Sequence, residues 1–95
     1  MQKYELLLVF APTLSEEEVK GQIDRYSEII NKNGKVENVD EWGLKKLAYK
    51  IDNKYREGYY VIIDFESTPE VLDELNHIYL ITESILRNMI TKKED

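Results

Sequence analysis

The chain has 95 residues, 42% of them apolar and 34% charged, the balance of one globular domain spanning residues 1–95 around a single core. The formal charge is −6 and there is no cysteine, which excludes disulfides, thiolate metal sites and cysteine nucleophiles and fits a reducing cytoplasm. The start, MQKYELLLVFAP, has a short apolar run broken by Glu5 and no cleavage site, so no signal peptide is expected; no segment nears the roughly 20 apolar residues that span a bilayer, so no membrane role is expected either.

In chain order, Lys3 to Phe10 reads as a strand, with Tyr4, Leu6, Leu8 and Phe10 on one side and Lys3, Glu5, Leu7 and Val9 on the other. Pro12 ends its pairing. Ser15 to Asn33 reads as a helix. Ser15 caps it, Glu18 completes a capping box, and Leu14 and Val19 sit at staple positions. Glu16, Glu17 and Glu18 suit the positive end of the helix dipole. Val19, Ile23, Tyr26 and Ile30 form the inner stripe, and Gly34 is expected to end the helix in a left-handed conformation.

From Lys35 to Trp42 the pattern alternates again, but Val36 and Val39 break period 2, which predicts a bulge. Gly43 bends the chain, Leu44 to Ile51 continues extended, and Asp52-Asn53-Lys54 reads as a turn. Gly58 to Glu66 is the plainest strand, with Tyr59, Val61, Ile63 and Phe65 inward and Tyr60, Ile62, Asp64 and Glu66 outward. Thr68 then caps a second helix with Pro69 at its first position and Leu72, Leu75 and Tyr79 inside. Ser84 to Thr91 is a last strand, and Lys92 to Asp95 a frayed tail. The order βαββαβ defines an α+β, ferredoxin-like fold: a four-stranded antiparallel sheet with two helices on one face.

The other face is left open. It should show Glu5, Leu7, Val9, Tyr60, Ile62 and the acids Asp64 and Glu66, with one aromatic among them. Base stacking in the RNA-recognition motif needs aromatics at positions that here fall on Tyr59 and Val61, which the alternation turns inward. An apolar face with a negative edge suits a protein contact better, through Leu7, Val9, Tyr60 and Ile62. Against this acidic background, residues 45 to 56 carry Lys45, Lys46, Lys50, Lys54 and Arg56 against Asp52 alone, a local charge of +4. Such an island calls for an anionic partner at one place. Alternation sends Lys45 and Lys46 to opposite sides. Trp42 and Tyr49 could stack on RNA, but packing in the core or hairpin is the expected role.

Catalysis is not supported. The one histidine, His77, has no ligand-type neighbours and reads as solvated; no glycine-rich loop follows a strand; the acids of Glu16 to Glu18 and Asp73-Glu74 sit on exposed helix faces. No catalytic residue, metal, cofactor or small-molecule substrate is expected.

The sequence resembles one family over nearly its whole length: the bacterial small-subunit ribosomal protein conventionally numbered six. The resemblance runs through Tyr4-Glu5, the Ser15-to-Gly34 helix, Glu41-Trp42-Gly43-Leu44-Lys45-Lys46-Leu47-Ala48-Tyr49-Lys50-Ile51, Gly58-Tyr59-Tyr60 and Ile85-Leu86-Arg87-Asn88-Met89. The run from Gly43 to Ile51 is its most specific part. Lys50 departs from it, standing where many members carry proline. The end at Asp95 departs too, and gives no support to a partner contact by the longer tail some members have. The resemblance implies the ferredoxin-like fold and a place in the small ribosomal subunit, in the cytoplasm. It also implies binding to the central domain of small-subunit (16S) ribosomal RNA jointly with ribosomal protein eighteen, as a heterodimer. A basic partner would compensate for the acidity of this chain. The RNA candidates are Lys45, Lys46 and Arg87, with Lys3, Lys92 and Lys93 as additions, all positioning phosphate. Two other classes fit parts of the pattern: a homo-oligomeric regulatory or ligand-binding domain of ferredoxin-like type, and a lone binder of single-stranded RNA that depends on Tyr60.

Overall fold

A computed structural model describes residues 1–51 and 55–93, with only the backbone described for residues 47–51. The expected turn at Asp52-Asn53-Lys54 and the expected packing of Tyr49 fall outside the described residues.

The chain runs β1 (Gln2–Phe10), α1 (Glu16–Asn33), β2 (Lys35–Ile51), β3 (Tyr55–Ser67), α2 (Glu70–Ile81) and β4 (Ile85–Lys92). The sheet order is β2-β3-β1-β4, and each of the three pairings is antiparallel. This is the ferredoxin-like arrangement expected from the sequence. Strands β1 and β3 run down the centre, so their inward residues carry the core. Tyr4, Leu6, Leu8 and Phe10 pair in register with Phe65, Ile63, Val61 and Tyr59. Leu6, Leu8, Phe10, Ile63 and Phe65 are wholly buried beneath Val19, Ile23, Tyr26 and Ile30 of α1 and Val71, Leu75 and Ile78 of α2. Each such side chain contributes roughly 1.5–3 kcal/mol by leaving water, so this layer outweighs any surface contact.

The start of α1 is as its sequence dictates. The Ser15 hydroxyl accepts from the Glu18 amide at 3.1 Å, and the Glu18 carboxylate accepts from the Ser15 amide at 3.1 Å. These bonds satisfy amides that a helix start leaves unpaired. The start of α2 differs by one residue. Pro69 is its cap and makes no side-chain cap bond. Glu70 is held below the usual carboxylate range by its own backbone amide, then by the Thr68 hydroxyl, so Thr68 serves that carboxylate instead of acting as cap. The inner stripe of α2 also rotates: Val71, Leu75 and Ile78 are buried, and Leu72 and Tyr79 only pack against them. Arg25 Nη1 donates to Thr82 Oγ1 at 3.4 Å, which ties α1 to the end of α2.

Gly34 corrects another expectation. Its φ of −168° is ordinary extended backbone, not left-handed. Glycine is needed there for space. An added Cβ would collide with the Glu66 carbonyl oxygen and lie 2.7 Å from Ser67 Cβ on β3. Backbone contact cannot yield as a flexible side chain can. Left-handed glycine occurs instead at Gly43, with φ 80°, where the register against β3 slips between Glu41 and Gly43. A second slip between Val36 and Asn38 is the bulge that the broken alternation predicts.

Two measurements test this account. Gly34→Ala should cost about 2 kcal/mol or more in urea unfolding, because it overpacks against backbone. Gly21→Ala, at an open helical position with nothing within 4 Å, should stabilise by about 0.5–1 kcal/mol. Tyr26 has no exposed surface, and its hydroxyl has no hydrogen-bond partner among the described residues. Burial pushes its phenol well above the ordinary value, with Arg25 opposing slightly. The folded chain therefore keeps a proton that the unfolded chain releases above about pH 10. Stability should be unaffected by this group below that pH and fall above it, by up to about 1.4 kcal/mol per pH unit. Tyr26→Phe should remove that alkaline loss and leave neutral-pH stability unchanged or higher; a loss of more than about 1 kcal/mol at pH 7 would show that the hydroxyl is bonded.

Candidate RNA and partner interface

The face of the sheet opposite the helices is set by the register of its four strands. One row runs Gly43, Tyr60, Val9, Arg87 across β2, β3, β1 and β4. The next runs Asp40, Ile62, Leu7, Met89, and the next Asn38, Asp64, Glu5, Thr91. Lys35, Glu66 and Lys3 follow, with the Lys93 amide bonded to the Lys3 carbonyl at 2.8 Å. The middle is thus mostly apolar, and one end carries the acids Glu5, Asp64 and Glu66 that the alternation of β1 and β3 foretells, interleaved with Lys3, Lys35 and Lys93.

Leu7, Tyr60 and Ile62 lie partly exposed on this face, and Met89 is 54% exposed beside them. Val9 does not match its expected exposure. It points to the open side but is 1% exposed, flanked in register by the long side chains of Tyr60 and Arg87. Any contribution from Val9 is as a support under Tyr60 and Arg87.

Trp42 meets one half of its expectation and not the other. It is 49% exposed, so it is not in the core, but it packs across the β2–β3 hairpin. Its ring stacks on Tyr60 with centroids 6.4 Å apart and planes 10° from parallel, and Nε1 donates to Asp40 Oδ2 at 2.8 Å. The open face therefore presents two aromatics, not one. The sequence signal was available: Asp40 and Trp42 are two apart, and Gly43 next to them slips the strand, so period 2 could not be extended through this point.

Beyond the stack, Lys45 lies opposite Gly58 and Lys46 opposite Glu57, and simple alternation would send their side chains to opposite sides. Both nevertheless line one open depression of about 520 Å³ with Trp42 and Tyr60. Lys45, Lys46 and Arg56 are exposed; the side chains of Lys50 and Lys54 fall outside the described residues.

The six RNA candidates do not form one patch. Lys45, Lys46 and Arg87 belong to the aromatic end. Lys3, Lys92 and Lys93 belong to the acidic end, about 20 Å away along β1. Arg87 is partly buried and already engaged in an interaction of its own. Lys93 Nζ pairs with Asp64 Oδ1 at 2.6 Å. Asp64 stands directly across from Glu5, a repulsive pairing that the Lys93 cation relieves. The same carboxylate raises the Lys93 ammonium above its ordinary value, with Glu5 and Glu37 adding to it. Lys93 is thus committed to the sheet's own charge balance.

His77 is exposed on α2, and no helix is long and apolar enough to cross a membrane among the described residues. An open ferredoxin-like sheet with an apolar middle, an aromatic and basic end and an acidic end defines a binding module.

Comparison with known proteins identifies which. The family model for ribosomal protein S6 matches residues 3–92. The chain is 46% identical to small ribosomal subunit protein bS6 of Caldanaerobacter subterraneus over the full length of both, and 47% identical to that of Clostridium perfringens over 99% of each. A crystal structure of 30S ribosomal protein S6 from Thermotoga maritima superposes with a TM-score of 0.89 at 33% identity, covering 97% of this chain and 87% of that one. The chain belongs to the ribosomal protein S6 family. Its role is structural, in the small subunit of the cytoplasmic ribosome, and not enzymatic.

The placement of Trp42 has a direct check. Acrylamide should quench the emission of this single tryptophan readily, because half its surface is open, and Asp40→Ala should shift the emission by freeing the indole N–H; an emission insensitive to both would contradict the exposed stack.

Proposed function

We propose that this chain binds the central domain of small-subunit (16S) ribosomal RNA jointly with ribosomal protein eighteen, as a heterodimer. The carrying observation is the division of the open face. An apolar middle formed by Leu7, Ile62, Tyr60 and Met89 separates a basic end from an acidic end. A chain of net charge −6 neutralises few phosphates by itself. A basic protein seated on the apolar middle would meet Asp40, Glu5 and the carboxylates around it, and would carry cations to the shared RNA. In this arrangement Leu7, Tyr60 and Ile62, with Val9 beneath, receive the partner. Lys45 and Lys46 position phosphate, and Arg87 borders both. Lys3 and Lys92 are weaker candidates at the far end, and Lys93 weaker still because of its bond to Asp64.

RNA binding should be weak with this chain alone and rise sharply on addition of ribosomal protein eighteen, as read by the mobility of a central-domain transcript. Equal affinity with and without that protein would end the cooperative reading. In the complex, changing Lys45 and Lys46 together to alanine should lower affinity and flatten its salt dependence by about one to two unit charges; an unchanged slope would remove them from the phosphate contact.

A further inference from the structure

Trp42 carries more than its place on the partner face. The indole stacks on Tyr60 with centroids 6.4 Å apart, and its Nε1 donates to Asp40 at its edge. Trp42 and Tyr60 together line the open depression shared with Lys45 and Lys46, and the indole also borders a second depression beside Glu16, Lys20 and Tyr59. This combination has a specific chemistry. A flat, fixed aromatic surface accepts a second planar group by stacking, and every nucleobase has such a face. The two ammonium groups at the rim repel a cationic side chain and attract a phosphate. A basic protein therefore fits the apolar and acidic rows farther along the sheet, while this corner fits a nucleotide.

We propose that Trp42, backed by Tyr60, is the seat of one unpaired nucleobase, whose phosphate lies between Lys45 and Lys46. This goes beyond positioning of phosphates: the chain would hold a base extruded from a helix or lying in a loop of the RNA. The proposal rests on the RNA-binding reading above. Stacking tolerates any base, so the seat adds affinity and fixes register without reading sequence. Gly43, with its left-handed backbone, lies next to Trp42 where the register against β3 slips.

The single tryptophan makes the seat directly observable. The chain is first paired with ribosomal protein eighteen, then titrated with central-domain RNA, while RNA binding is followed independently by the anisotropy of a label on the RNA. A parallel complex carrying Trp42→Leu supplies the background emission. Addition of the protein, whose contact reaches Trp42 only through Tyr60, should shift Trp42 emission in part, and addition of RNA should then quench it strongly. Inorganic polyphosphate, which offers charge without bases, should quench much less. Trp42→Leu should weaken RNA binding about tenfold or more, and Trp42→Phe should retain most of the affinity. RNA binding with unmoved Trp42 emission, equal quenching by polyphosphate, or a change complete at the protein-addition step would each overturn the seat while leaving the joint-binding reading intact. The last of these would assign Trp42 to the protein contact. If the anisotropy shows no RNA binding by the paired proteins, the broader reading fails and the seat fails with it.

Discussion

Burial of one face of the sheet beneath two helices governs what every other residue can do. Tyr4, Leu6, Leu8 and Phe10 on β1 and Val61, Ile63 and Phe65 on β3 turn inward together because the two strands pair without a slip from Gln2 to Phe10. A one-residue shift of that register would expose the whole set, so the pairing is strongly specified. The outward residues of the same strands are fixed as a consequence. Leu7, Tyr60, Ile62, Glu5 and Asp64 face away from the helices because their neighbours face toward them.

That constraint turns the open face into a graded surface. Its acidic end manages its own repulsion through Lys93, and its middle is apolar. Its far end holds the stacked aromatics and the lysine pair. For a structural ribosomal protein this is a division of labour. Membership of the S6 family gives the chain its place in the small subunit. Under the proposed joint binding, phosphate contact falls to one corner and the partner protein takes the remainder of the face.

Much of this was legible beforehand, for local reasons. The Ser15–Glu18 capping box, the stripe Val19, Ile23, Tyr26, Ile30 and the alternation of β1 and β3 depend on contacts within a few residues or on strict periodicity. The misreadings arose where a non-local contact decided. Gly34 is glycine because β3 passes against it, a fact of packing between segments more than thirty residues apart in sequence. The stripe of α2 is rotated because packing against the sheet buries Val71 and Ile78 and leaves their neighbours Leu72 and Tyr79 at the margin of the core. Val9 has the right direction and the wrong exposure, since cover by its neighbours on β3 and β4 is invisible in its own strand.

The sequence by itself determined the element order, the topology, the inward and outward sets of the central strands and the family, because each is written in periodicity, capping chemistry or a motif. Only the tertiary structure decided what the EWGLKK segment presents. The slip at Gly43 breaks the period from which side-chain direction is inferred, and the ring of Tyr60 on the neighbouring strand supplies the surface on which Trp42 rests. Pairing between strands, not the pattern within one, put the tryptophan on the open face beside Lys45 and Lys46.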